Sequence, residues 1–226
     1  MATIGVIGGM GPLATAVFYA MLTNGQAIEK EQDYSDIIIY SKPSIADRTA
    51  FILGKSETNP LDGLIHAALT LQNAGANFIA MTCVTSHFFL EDLTAETDIP
   101  IINLPMEIAK TAAEEGLTKV GLLATDGTLE SGILNSAFNN YEIETIIPTP
   151  QDQASLMEQI YNLKQGNYVN PDTFDELEEN LYERGAESVV LGCTELSLLT
   201  GPVVKDRIDA LKVLAQASLN KARGNK

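Results

Sequence analysis

Two stretches of this chain carry one pattern: Gly75-Ala76-Asn77-Phe78-Ile79-Ala80-Met81-Thr82-Cys83 and Gly185-Ala186-Glu187-Ser188-Val189-Val190-Leu191-Gly192-Cys193. Each runs from Gly-Ala through an apolar segment of buried-strand length into a cysteine, and these are the only two cysteines of the 226 residues. A second echo pairs Thr3-Ile4-Gly5-Val6-Ile7-Gly8-Gly9-Met10-Gly11 with Lys119-Val120-Gly121-Leu122-Leu123-Ala124-Thr125-Asp126-Gly127, and the offsets are similar, about 110 to 116 residues. Such a period is far too long for a solenoid. It predicts two α/β halves with the same order of elements, each placing one thiol just past a strand's carboxyl end. If the halves face each other, both thiols enter one cleft.

The rest of the chain fits this scheme. Strand patterns fall at Thr3–Ile7, Ile37–Tyr40, Phe78–Met81, Ile99–Asn103, Lys119–Ala124, Glu144–Pro148, Ser188–Leu191 and around Pro202–Val204. Helical periodicity covers Leu13–Glu29, Pro60–Ala74, Ser86–Thr94, Pro105–Glu115, Leu129–Asn139, Gln153–Gln165, Pro171–Arg184 and Ile208–Lys221. The alternation predicts two α/β domains with parallel sheets, helices on both faces, and a pseudo-twofold relation about an interdomain cleft. The expected division is residues 1–104 plus 205–226 for the first domain and 105–204 for the second, with the last helix returning to cover the first.

Thirty acidic against fourteen basic residues give a formal charge of −16. That balance argues against nucleic acid and against anionic membrane surfaces as partners. Most of the charge falls in amphipathic stretches, where it serves solubility. The first apolar run is short and runs directly into glycines, unlike a signal peptide or a membrane span, so a cytoplasmic location with reduced thiols is expected. With two histidines, His66 and His87, and no Cys/His cluster at ligand spacing, no metal is expected.

In parallel α/β sheets ligands bind beyond the carboxyl ends of strands, where free amide hydrogens and a positive helix end are on offer. Cys83 and Cys193 belong there. A thiol near a cation or a helix N-terminus ionises more readily and becomes a usable base. Two thiols on opposite sides of a cleft can take a proton from one face of a carbon and deliver one to the other, which suits racemisation or epimerisation. A developing carbanion needs cations or hydrogen bonds aimed at the adjoining carboxylate. Arg48, in the loop after Ile38-Ile39-Tyr40, and Lys164, at the end of a helix before Gly166, are candidates, although a surface cation or a helix C-terminal contact explains each as well. Asp47 would orient Arg48 or cap a turn. His87 is expected to bond backbone rather than to act as a base. Gly9-Met10-Gly11-Pro12-Leu13-Ala14 matches a dinucleotide fingerprint, yet the second strand ends in Tyr40-Ser41-Lys42 with no carboxylate for a ribose.

Ile4-Gly5-Val6-Ile7-Gly8-Gly9-Met10-Gly11-Pro12, Asp47-Arg48-Thr49-Ala50 and Gly192-Cys193-Thr194-Glu195 together resemble the aspartate/glutamate racemase family of cofactor-independent racemases, most closely its aspartate racemase branch. The resemblance covers nearly the whole chain. It implies interconversion of L- and D-aspartate without a cofactor, a small dicarboxylic amino acid as substrate, and a homodimer. By position, Cys83 and Cys193 resemble the two proton-transfer residues, which exchange roles with the bound enantiomer. Arg48 and Lys164 resemble the cations that hold the carboxylates. Met10, Val84, Thr85, Ser86 and Thr194 resemble residues that line the same pocket, with Thr125 and Thr128 nearby.

One position departs from the family. Its first cysteine motif is usually Cys-Asn-Thr-x-His, whereas this chain has Cys83-Val84-Thr85-Ser86-His87. Valine cannot replace the amide's polar contacts, a loss worth about 1–3 kcal/mol of transition-state binding. The alternatives are therefore a glutamate or broad-specificity racemase, and a weakly active or non-catalytic dicarboxylate-binding homologue. A related isomerase or decarboxylase using one thiol, and a redox sensor closing a Cys83–Cys193 disulfide, are the remaining rivals.

Overall fold

The computed structural model describes residues 1–199 and 207–224. The first half contains β1 (Ile4–Gly8), α1 (Pro12–Asn24), β2 (Ile37–Ser41), α2 (Arg48–Ile52), α3 (Leu61–Asn73), β3 (Phe78–Met81) and α4 (Leu90–Ala95). After α5 (Leu104–Glu114) follow β4 (Lys119–Leu123), α6 (Asp126–Ser131), α7 (Ile133–Asn139), β5 (Glu144–Ile146), α8 (Pro150–Lys164), α9 (Asp172–Glu183), β6 (Ser188–Leu191), β7 (Arg207–Asp209) and α10 (Ala210–Arg223).

The strands form two parallel sheets in the orders β2-β1-β3 and β5-β4-β6-β7. The first strand of each half, β1 or β4, is central, flanked by the second on one side and, on the other, by the third, which runs on to the cysteine. That shared order is the duplication made visible. β1, β3 and β6 are buried along their whole length, as expected of strands covered on both faces.

One apolar cluster joins the halves: Ile4, Val6 and Phe78 of the first sheet and Val120, Leu122 and Val190 of the second share it with α5, α7 and α10. Separate clusters fill the far face of each sheet, around Leu64, Leu71 and Met81 in the first half and Leu156, Phe174 and Leu181 in the second. The last helix lies against α1 and α5. Residues 207–209, which the expected division gave to the first domain, stand in the second sheet as β7, paired with β6.

Several boundaries differ from the sequence reading for local reasons. Ile99–Asn103 makes one bridge, Ile79 to Ile101, rather than a strand. Pro100 has no amide hydrogen to continue the ladder, and the Asn103 side chain is committed to accepting from the Met106 amide. Helix α1 stops at Asn24 because Gly25 closes it with a bond to the Met21 carbonyl. The expected helix from Ile208 starts two residues later, at Ala210, where the Asp209 carboxylate caps the amides of Leu211 and Lys212. Leu129–Asn139 is split by Gly132, whose φ of 66° ends α6. Ser86–Thr94 begins as a 3₁₀ turn, Thr85–Phe89. The strand expected around Pro202–Val204 lies outside the described residues.

Candidate active site

Cys83 follows β3 after one residue, and Cys193 follows β6 after one residue; each leads into a 3₁₀ turn, Thr85–Phe89 in one half and Thr194–Leu198 in the other. Both are free thiols, 6% and 5% exposed. The halves are joined beside them. Thr194 donates its hydroxyl to the Thr82 carbonyl at 3.0 Å. The hydroxyl of Thr85 lies 2.9 Å from those of both Thr125 and Thr128, which are 3.0 Å apart, a closed triangle of buried hydroxyls.

Arg48 opens α2, where the Asp47 carboxylate caps the helix by accepting from the Ala50 amide at 2.9 Å. Its guanidinium is only 7% exposed and donates to the carbonyls of Ala46 at 2.9 Å and Met10 at 3.3 Å. Cys83 lies in its electrostatic reach, while its Nε is buried without a partner. Lys164 closes α8, with its ammonium 5.3 Å from the centre of the Tyr161 ring. Burial alone would weaken the hold of both cations on their protons. The neighbouring thiols and Glu195 outweigh it, so Arg48 and Lys164 both titrate above their ordinary ranges. Lys164 lies in the electrostatic reach of both thiols.

A cavity of about 380 Å³ opens beside these groups, bounded by Met10, Gly11, Pro43, Asp47, Arg48 and Lys164. Such a volume suits a small metabolite. Its charged groups are two cations, Arg48 and Lys164, and one carboxylate, Asp47.

The structure brings Met10, Arg48 and Lys164 to this cavity, with Cys83 and Cys193 in the electrostatic reach of the cations. Other expected pocket residues spend their side chains elsewhere. Val84 is 2% exposed within the shared apolar cluster, Thr85 belongs to the hydroxyl triangle, and Ser86 donates to the Met10 sulfur at 3.3 Å. Thr194 bridges to Thr82. His87 has both ring nitrogens against backbone carbonyls, those of Cys83 and Ile102 at 3.0 and 3.2 Å.

Two residues were not singled out from sequence. Glu195, 2% exposed, accepts the Cys193 S–H at 3.0 Å. Burial and this carboxylate push the Cys193 thiol well above the ordinary range, while Lys164 pulls the other way. Its signal was a carboxylate two residues after a strand-end cysteine. Tyr161, one helical turn before Lys164, donates to Asp47 at 3.2 Å. Burial would raise the Asp47 carboxyl, but the Ala50 amide, Lys164, Arg48 and Tyr161 together hold it below the usual carboxylate value. Among the described residues no group of three or more His, Cys, Asp or Glu could hold a metal ion, and no helix is long and apolar enough to cross a membrane.

Comparison with known proteins bears on this arrangement. A profile of the Asp/Glu/hydantoin racemase family matches residues 7–217. The broad specificity amino-acid racemase RacX of Bacillus subtilis (strain 168) is 26% identical over 236 aligned positions, covering 96% of each chain. The aspartate racemase of Picrophilus torridus superposes with a TM-score of 0.89 at 27% identity, covering 99% of this chain and 95% of that one. An aspartate racemase homologue from Pyrococcus horikoshii OT3 gives 0.79 at 28% identity, covering 99% and 100%. With a duplicated parallel α/β fold and a thiol at the equivalent strand end of each half, the chain is an isomerase that belongs to the Asp/Glu/hydantoin racemase family.

Proposed function

We propose that this racemase acts on aspartate, using Cys83 and Cys193 as opposed proton-transfer groups and Arg48 and Lys164 to hold the two carboxylates. The observation that carries the reading is the pairing of two buried thiols at equivalent strand ends with one lysine in the electrostatic reach of both. One sulfur, as thiolate, takes the α-proton while the electron pair stays on carbon. The other, as thiol, delivers a proton to the opposite face, and the roles exchange for the other enantiomer. Cations at the carboxylates stabilise the charge that develops beside the α-carbon, and each charge-assisted hydrogen bond there contributes about 1.5–3 kcal/mol. A cavity of about 380 Å³ in which a guanidinium and an ammonium outnumber the one carboxylate, Asp47, favours a short dicarboxylate. We take the enzyme to be a cytoplasmic homodimer that needs no cofactor.

Broad specificity is the second reading, favoured by the full-length similarity to RacX. NMR of L- and D-aspartate, glutamate and neutral amino acids in deuterated buffer tests both. Aspartate should lose its α-hydrogen from either enantiomer with the parent protein. Racemisation should vanish in Cys83→Ala and in Cys193→Ala. Equal exchange with neutral amino acids would move the assignment to the broad reading, and tight binding without exchange would remove the racemase assignment.

A further inference from the structure

The two thiols have different surroundings. Cys83 lies in the electrostatic reach of the Arg48 and Lys164 cations. Cys193 instead donates to Glu195 Oε2, which lies 3.0 Å from Sγ and also receives the Thr194 hydroxyl at 3.4 Å. The other oxygen of that carboxylate, Oε1, is enclosed and has no hydrogen-bond partner. Gly11 packs so closely on it that a Cβ there would stand 3.0 Å away. A buried carboxylate with one oxygen unpaired is costly to keep, and the thiol contact is what it retains.

We propose that Glu195 is a positioning residue that holds Cys193 as the neutral thiol in the empty site, so that Cys193 starts as the acid of the pair. This inference rests on the two-thiol reading above. Cys193 faces Glu195 from its own 3₁₀ turn and Lys164 from α8, and Glu195 in turn faces Lys164 and Arg48 from α2. Burial and Glu195 raise the thiol against the pull of Lys164.

The consequence is an unequal pair of directions. When Cys83 removes the α-proton, the Cα–H bond breaks with its electrons left on carbon, and an S–H bond forms on Cys83. The Cys193 S–H then breaks as its proton joins the opposite face, and its bonding pair remains on sulfur. That leaves a thiolate beside the Glu195 carboxylate, two anions in contact, and the reverse direction must begin from this less populated form. Because the enantiomers have equal free energy, kcat/KM is the same for both. The asymmetry therefore falls on kcat and KM separately.

Cysteine labelled with carbon-13 at Cβ tests this, since Cys83→Ala leaves a single labelled residue whose shift follows the thiol–thiolate equilibrium. Replacing Glu195→Gln in that background should lower the titration midpoint of Cys193 by at least about one pH unit, a tenfold gain in thiolate at fixed pH. Glu195→Asp, which keeps a carboxylate but draws it back, should lower it less. An unchanged midpoint in Glu195→Gln overturns the proposal. The same spectra show whether the variant is folded, and if Glu195→Gln is not, the Asp variant decides by whether its midpoint falls. No substrate is needed, so failure here is separable from failure of the racemase reading. In the protein with both thiols, Glu195→Gln should also bring the kcat values of the two enantiomers together, a change that a purely structural carboxylate would not produce.

Discussion

Tyr161 donates its phenolic hydroxyl to Asp47, 3.2 Å from Oδ2, joining α8 of the second half to the loop that launches α2 in the first. Asp47 is also the cap of α2, so the bond ties the element that presents Lys164 to the element that presents Arg48. The spacing of the two cations then depends on a contact that neither of them makes.

Replacing Tyr161→Phe keeps the ring beneath Lys164 and deletes only that bond. A hydrogen bond of this kind contributes about 0.5–1.5 kcal/mol, equivalent to roughly a 2- to 13-fold change in an equilibrium constant. The expected result is a rise in KM for aspartate within that range, with kcat changed by less than about twofold. Steady-state kinetics on both enantiomers checks it, and an unaltered KM would show that the cations are held apart by other means.

The hydroxyl triangle of Thr85, Thr125 and Thr128 sets a second expectation. Its members are all buried, and Thr125 also caps α6 by accepting from the Thr128 amide at 3.2 Å. In Thr128→Val the shape is kept while two buried hydroxyls lose a partner, which should cost about 1–3 kcal/mol of stability. Thr128→Ser, which retains the hydroxyl, should recover most of it. Urea unfolding midpoints would show the difference, and equal midpoints for Val and Ser would mean the triangle adds nothing to the union of the halves.

The duplication was legible because it is written in periodic apolar runs ending in glycine or cysteine, and burial on both faces leaves such strands little chemical choice. The two thiols were legible for the same reason, since a strand end in a parallel sheet is a fixed address. Tyr161 was not, because it meets Asp47 of the other half across 114 positions; Glu195, two residues from its partner Cys193, reads in sequence as one more solvated carboxylate, and only its burial shows otherwise. Thr85 and Thr194 look like ligand-binding hydroxyls in one dimension, yet in space each turns to its counterpart in the other half, at 2.9 and 3.0 Å. Two of the three residues of β7, Ile208 and Asp209, were read as the start of a helix, since so short a run cannot reveal a period, and only pairing with β6 makes it a strand.

Val84 supplies the third prediction. It packs in the apolar cluster shared by the two halves, 2% exposed. Restoring the family's amide with Val84→Asn would bury a polar group that the present surroundings were not built to satisfy, at a cost of about 1–3 kcal/mol. The expected variant is less stable in thermal unfolding and no faster with aspartate. A gain in activity without loss of stability would show instead that the position faces the ligand.

The last prediction concerns acid. His87 sits directly after the Cys83 turn with both ring nitrogens on carbonyl oxygens, yet it is 5% exposed. Burial lowers its pKa below the ordinary imidazole value; the carbonyls of Cys83, Ile102 and Val84 pull it back up without prevailing. The folded protein therefore holds a neutral ring at a pH where the unfolded chain already takes up a proton. With the unfolded imidazole titrating near about 6.5, stability from this group is complete above that value. It is lost as pH falls below it, at up to about 1.4 kcal/mol per pH unit, until the folded ring is protonated in turn. A neutral replacement, His87→Gln, has no such proton to gain. Across urea unfolding series from neutral to mildly acidic pH, the parent should lose stability faster than the variant below about 6.5, and the two should run parallel above it. Parallel curves throughout would mean that the carbonyls, and not burial, govern this ring.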